Sequence, residues 1–205
     1  MPYHICIEGG LGAGKTFNMS LLAHWWKEQV EGQGGKIQLF SNYELKDSMP
    51  IDSYEDWYNV AAVQGSICCW DESHVNFSNR RWSSFQSGIS TEVLMYMRKM
   101  QSVQIYATPS INFLDSRIRV LIEIRVNVKH VKAGFILNFY DNQTGEFLRK
   151  AFISQSKANK IYKMNLYDTN AFVRGFPLPG NERQANEFWN ELARIHDESR
   201  GKIKI

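Results

Sequence analysis

Residues 9–16 read GGLGAGKT, the pattern G-x-x-x-x-G-K-[ST], and this octet constrains the fold more than anything else in the chain. Gly9, Gly10, Gly12 and Gly14 are expected to let the backbone take positive φ and to bring amide N–H groups against phosphate oxygens. Leu11, Ala13 and Phe17 complete the stretch that would wrap the anion. Lys15 can reach β and γ phosphates as a point charge. Thr16 offers a hydroxyl to Mg²⁺, and a helix starting here aims its positive end at the phosphates. The flanks agree: Tyr3-His4-Ile5-Cys6-Ile7 has strand character, and Phe17, Leu21, Leu22, Trp25 and Val30 recur at near-helical spacing. Strand, glycine loop and helix in this order predict a nucleoside triphosphate site, with ATP and Mg²⁺ as the ligands.

The 205 residues suit one α/β domain and can bury a real core. Aromatic content of 13% argues against disorder. No apolar run approaches a membrane span, and the N-terminus lacks a signal-peptide layout, so a cytosolic protein without an integral membrane segment is expected. Cys6, Cys68 and Cys69 lack C-x-x-C spacing and read as small buried hydrophobes. The five histidines show no ligand spacing, which argues against zinc. Net charge is only +3 but unevenly spread: residues 76–160 hold thirteen Lys/Arg against five Asp/Glu. That bias is either a solvated face or an electrostatic footprint for a polyanion such as nucleic acid.

Beyond the first helix, a turn at 32–35 leads to a second strand at 36–40. A helix over 52–64, a buried strand at 66–70, a helix over 90–100 and a strand at 102–107 stopped by Pro109 follow. This alternation predicts a mostly parallel sheet flanked by helices. Three β-rich runs at 120–128, 135–140 and 147–153, with a hairpin turn at 141–145, predict an antiparallel extension. A final helix after Asn181 places Ala185, Phe188, Trp189, Leu192 and Ile195 on one stripe. The expected division is a nucleotide-binding core over 1–118, the extension over 119–160 and a tail with its helix over 161–205, all in a single domain.

Asp71 and Glu72 close the apolar strand at 66–70, where adjacent carboxylates are costly without a positive partner. Asp71 would hold Mg²⁺ directly or through water, and Glu72 would orient or deprotonate an attacking water. The alternative is a solvated turn after a core strand.

The segments GGLGAGKT, LFSNYEL at 39–45, ICCWDESH at 67–74, YMRKMQSVQIYATPS at 96–110 and FLDSRIR at 113–119 occur in an order that resembles the zonular-occludens-toxin-like ATPases. These belong to the FtsK–HerA group of P-loop motors, which includes viral genome-packaging ATPases. The resemblance implies a RecA-like sheet, a ring of five or six subunits around double-stranded DNA, and an active site completed by a neighbour's arginine. Arg98 is the first candidate for that arginine, followed by Arg117 and Arg119. The family's sensor glutamine at the end of the fourth strand falls on Pro109, leaving Thr108 or Ser110 to supply a hydroxyl. The membrane span of phage-assembly members is not found, which favours a packaging motor in the host cytoplasm or virion, acting with a capsid vertex or portal protein. Two other readings remain: a morphogenesis or virion-export ATPase at the membrane, and a slowly hydrolysing nucleotide switch.

Arg80-Arg81-Trp82 in a Ser/Asn-rich loop would suit DNA phosphates, or a packing tryptophan flanked by charges. Lys129, Lys132, Arg149 and Lys150 would face DNA or guard strand edges. His74 would relay nucleotide state or act as a structural hydrogen-bonder, and Trp25-Trp26 would serve the core or a subunit interface.

Overall fold

A computed structural model describes residues 2–77, 96–170, 172–173 and 179–201. Among the described residues eight strands form one sheet: β1 (His4–Glu8), β2 (Gln38–Ser41), β3 (Ser48–Pro50), β4 (Ser66–Trp70), β5 (Ser102–Thr108), β6 (Ile124–Val131), β7 (Gly134–Asp141) and β8 (Phe147–Ser154). The described helices are α1 (Lys15–Gly32), α2 (Trp57–Ala62), α3 (Ser73–Asn76), α4 (Ser116–Leu121), α5 (Gln155–Tyr162) and α6 (Glu182–Ser199). The strand order is β3-β2-β4-β5-β1-β6-β7-β8. All pairings from β3 to β6 are parallel, and β6-β7-β8 is an antiparallel meander. The mostly parallel α/β sheet with an antiparallel extension is thus present.

The central strands are covered on both faces, so their residues alternate between two cores instead of between core and water. Cys6, Phe40, Cys68, Trp70 and Tyr106 point to one face, where they meet Trp57 and Val60 of α2 and Phe188 and Leu192 of α6. Ile5, Ile7, Leu39, Ile67, Cys69 and Ile105 point to the other, against Phe17, Met19 and Ala23 of α1 and Ala158 and Ile161 of α5. The three cysteines are buried and free, and burial pushes the Cys68 thiol up to about 11. Asn181 caps α6 by accepting from the Gln184 N–H, while the Gln184 side chain accepts from the Gly180 N–H. Its expected stripe is present: Ala185, Phe188 and Leu192 are buried, with Trp189 and Ile195 packed against the same core.

Several expectations are corrected. The run at 120–128 is not one strand: residues up to Leu121 are the helix α4, and β6 starts at Ile124. Asp115 nucleates that helix by accepting from the Arg117 N–H, a local cap that outweighs the β-branched residues after it. The helix over 52–64 is a 3₁₀ turn (Tyr54–Asp56) followed by the short α2. On α1 the buried face runs through Phe17, Met19, Ser20 and Ala23, while Leu21 and Leu22 are half-buried and Trp25 is exposed. The helix expected over 90–100 is described only from Tyr96, and Val93 and Leu94 lie outside the described residues. Among the described residues no helix is long and apolar enough to cross a membrane.

Phe188 is buried between Tyr54, Tyr58 and Trp189, with ring centroids 5.3–5.6 Å apart. Phe188→Ala should lower unfolding free energy by about 3–5 kcal/mol, read as a drop in urea midpoint without a change in slope.

Candidate functional site

The glycine loop leaves the carboxyl end of β1 and turns into α1 at Gly14, which is left-handed at φ 89°. Gly12 is also left-handed, at φ 71°, whereas Gly9 and Gly10 are not, which corrects the expectation for those two. Gly9 is required for another reason: a Cβ there would lie 2.6 Å from the Val128 carbonyl oxygen of β6. At Gly14 a Cβ would run into the Phe135 ring of β7. The antiparallel extension therefore buttresses the loop from the side, a contact that motif reading does not contain. Ala13 donates to the Gly10 carbonyl at 3.1 Å, and Leu11 stands fully out at the loop tip, so only its backbone can serve a ligand.

Lys15 is buried, and its ammonium donates to the Gly10 carbonyl at 3.3 Å, folded over the loop. The Thr16 hydroxyl donates to Asp71 Oδ2 at 2.9 Å, so the first turn of α1 and the end of β4 meet across β5. Asp71 is held from behind by Asn42: the Asn42 amide donates to the Asp71 carbonyl at 3.0 Å and accepts from the Asp71 N–H at 2.7 Å. Asn42, itself buried, closes this strand-like pair just past β2. Burial pushes the Asp71 carboxyl above its usual range, while the bonds from Thr16 and the Glu72 N–H pull it back. A buried carboxylate beside a hydroxyl is a hard-oxygen donor set that fits Mg²⁺, and a bound cation would offset the burial cost.

Glu72 is left-handed at φ 44°, a strained geometry for a residue other than glycine. It caps α3, whose Ser73 hydroxyl donates to the Ala107 carbonyl of β5 at 2.9 Å. The Glu72 carboxylate lies 3.3 Å from His74 Nδ1 and is part-exposed, so it reaches solvent at the same end of the sheet. Glu8, at the end of β1, accepts from the Ile111 N–H at 3.0 Å and lies 3.8 Å from Arg125. Lys15, Thr16, Asp71 and Glu72 are thus gathered at the carboxyl ends of parallel strands, where open α/β sheets bind ligands.

Other expected residues fall at varying distance from this cluster. Thr108 is in register with Glu8, but its hydroxyl donates to the Ser110 carbonyl, and the Ser110 hydroxyl accepts from the Asn112 N–H. Both hydroxyls are engaged in the turn that follows β5. Arg98 is exposed and precedes β5, at the end of the sheet opposite the glycine loop. Arg117 is exposed, with its guanidinium donating to Asp115 at 3.1 Å, and the Asp115 backbone donates to the Phe77 carbonyl near α3. Arg119 reaches toward Asn112. Lys129 and Lys132 are exposed near the β6–β7 turn, beyond the carboxyl end of β1. Arg149 stacks over Phe139 at 4.4 Å. Arg80, Arg81 and Trp82 lie outside the described residues.

The two glycines separate by geometry. Gly14→Ala should destabilise the nucleotide-free protein by about 1–3 kcal/mol, while Gly10→Ala, facing open space at negative φ, should change it by less than about 0.5 kcal/mol. Thermal and denaturant melts of the two variants would check this.

The comparisons with known proteins agree with this architecture. The N-terminal domain of zonular occludens toxin from Neisseria meningitidis superposes with a TM-score of 0.60 at 18% identity, covering 82% of this chain and 100% of that one. The genome packaging NTPase B204 from Sulfolobus turreted icosahedral virus 2, in complex with AMPPCP, gives a TM-score of 0.53 at 12% identity, covering 75% of this chain and 99% of that one. At these identities the likeness is one of fold. No curated protein sequence matches the chain. The sequence profile of the zonular occludens toxin (Zot) family matches residues 22–171, a stretch that begins after the glycine loop, so loop geometry and profile are separate observations. With most of its length matched by that profile and its sheet superposing on a member's domain, the chain belongs to the zonular occludens toxin (Zot) family.

Proposed function

We propose that this chain is a Mg²⁺-dependent ATPase whose hydrolysis drives the movement of double-stranded DNA, with genome packaging as the process served. The observation that carries the ATPase reading is the cluster of Lys15, Thr16, Asp71 and Glu72 built by the glycine loop and the end of β4. The loop amides and Lys15 hold the phosphates. Thr16 and Asp71 would hold Mg²⁺, which when bound neutralises charge between the β and γ phosphates. Glu72 orients a water for attack on the γ-phosphorus and takes its proton as the bond to the β-phosphate oxygen breaks, releasing ADP and phosphate. His74, beside the Glu72 carboxylate, positions it.

The DNA reading is supported by the excess of basic residues over 76–160 and by the likeness to B204, described as a genome packaging NTPase. Lys129 and Lys132, at the loop end of the sheet, are its described candidate contacts. A ring of five or six subunits would let one subunit's arginine complete its neighbour's site. Arg98, at the far end of the sheet from its own loop, would act only across such an interface, while Arg117 lies closer to α3. Membership of the Zot family favours a second reading, an ATPase for virion assembly or export at the membrane.

Lys15→Ala should weaken ATP binding, and Glu72→Gln should cut hydrolysis by about 100-fold or more while ATP still binds. Phosphate-release assays with and without double-stranded DNA would check both; turnover surviving both changes would refute the ATPase reading, and DNA-independent turnover would favour virion export. Mixing Arg98→Ala with Glu72→Gln subunits should restore activity above that of either variant alone, and absence of recovery would rule out Arg98 as the arginine acting across the interface.

A further inference from the structure

The outer face of the first turn of α1 borders a second built feature. Phe17, next in sequence after Lys15 and Thr16, forms one wall of a cavity of about 380 Å³. Tyr162, Asn165, Tyr167, Asp168 and Thr169 are among its other walls. The chain reaches this position by an unusual route: after the edge strand β8 it folds into α5, crosses over α1 and returns to the β2 side. There it is pinned by the Lys46 N–H donating to the Leu166 carbonyl at 2.9 Å, the Asp168 N–H donating to the Glu44 carbonyl at 3.0 Å, and a bridge between Leu45 and Tyr167. The far wall is therefore fixed by backbone bonds.

The cavity has the size of a small-ligand site and mixes aromatic faces with a few polar groups. Phe17 is buried, and its ring packs on Tyr162 with centroids 4.5 Å apart. Tyr162 itself is 41% exposed, so part of the ring stays open at the cleft. Asn165, Asp168 and Thr169 are exposed along the rim, and the Asp168 carboxylate is oriented by the Asn170 N–H at 2.8 Å. Behind the cavity the Tyr167 ring meets that of Tyr43, whose hydroxyl lies 2.9 Å from the Ser20 hydroxyl on α1, so this wall is tied to the helix that follows the glycine loop.

With Lys15 on the β and γ phosphates, a bound triphosphate would carry its nucleoside at the opposite, α-phosphate end, and Phe17, directly after Thr16, is the wall of the cleft nearest the loop. Resting on that reading of the loop, we infer that the cleft between Phe17, Tyr162 and the 165–169 segment takes the purine base of the nucleotide. Tyr162 is the stacking surface, and Asn165 and Asp168 face the hydrogen-bonding edge, with Asp168 accepting from ring or exocyclic N–H groups. A two-ring base covers more of the tyrosine than a one-ring base does, so purine triphosphates should bind better than pyrimidine triphosphates.

The test compares ATP, CTP and inorganic tripolyphosphate, each with Mg²⁺, by calorimetry on the full chain. Tyr162→Ala should weaken ATP about tenfold and leave tripolyphosphate unchanged, Tyr162→Phe should retain ATP affinity, and wild type should prefer ATP to CTP. Retained tripolyphosphate binding also reports that Tyr162→Ala is folded. An equal loss for both ligands, or no loss for ATP, would overturn the assignment of the base. Wild-type protein that binds neither ATP nor tripolyphosphate would instead refute the phosphate-loop reading, and Lys15→Ala losing both ligands would support it.

Discussion

The hydroxyl of Thr16 bound to the carboxylate of Asp71 is the contact that joins the two halves of the site. One partner belongs to the first turn of α1, the other to the end of β4, and β5 separates their strands in the sheet. Asp71 is buried in a place that disfavours its charge, so the arrangement is held by what surrounds it. Asn42 fixes the backbone of Asp71 with two hydrogen bonds, and Ser73 fixes the following turn to β5. The carboxylate is consequently held by the sheet on one side and by the helix on the other.

The antiparallel meander is more than an appendage to a parallel core. Its first strand, β6, pairs with β1, and its second, β7, sends Phe135 against Gly14 and Phe17. The same meander leads into α5, which packs on β7 and β8 and sets Tyr162 against Phe17 of α1. Loop, α5 and meander meet at Gly14 and Phe17. Strain introduced at Phe135 or along α5 would be felt at the turn that holds Lys15.

Placement in the fold is legible in the sequence where chemistry and local periodicity coincide. The glycine octet, the Asp71–Glu72 pair and the strand at 66–70 are short, and each needs only its own residues to be recognised. The antiparallel hairpin at 141–145 was equally legible because turn chemistry is local. Reading failed where partners are far apart in sequence. No local pattern announces that Asn42 will clasp Asp71 across 29 positions, or that Phe135 will close on Gly14. The helix α4 was hidden because its apolar residues include Ile118 and Val120, β-branched side chains whose preference was overridden by the Asp115 cap and by burial of Ile118. β3 was missed because three residues ending in Pro50 carry no usable alternation.

The left-handed backbone of Glu72 has an evolutionary corollary. At that torsion a glycine or asparagine would relieve about 1 kcal/mol of conformational strain, so stability alone pulls the position away from glutamate. Under the catalytic role proposed for Glu72, the demand for a carboxylate there opposes the drift. On that proposed role, a lineage of this fold released from hydrolysis would lose its acid at this turn early, before its glycine loop decays.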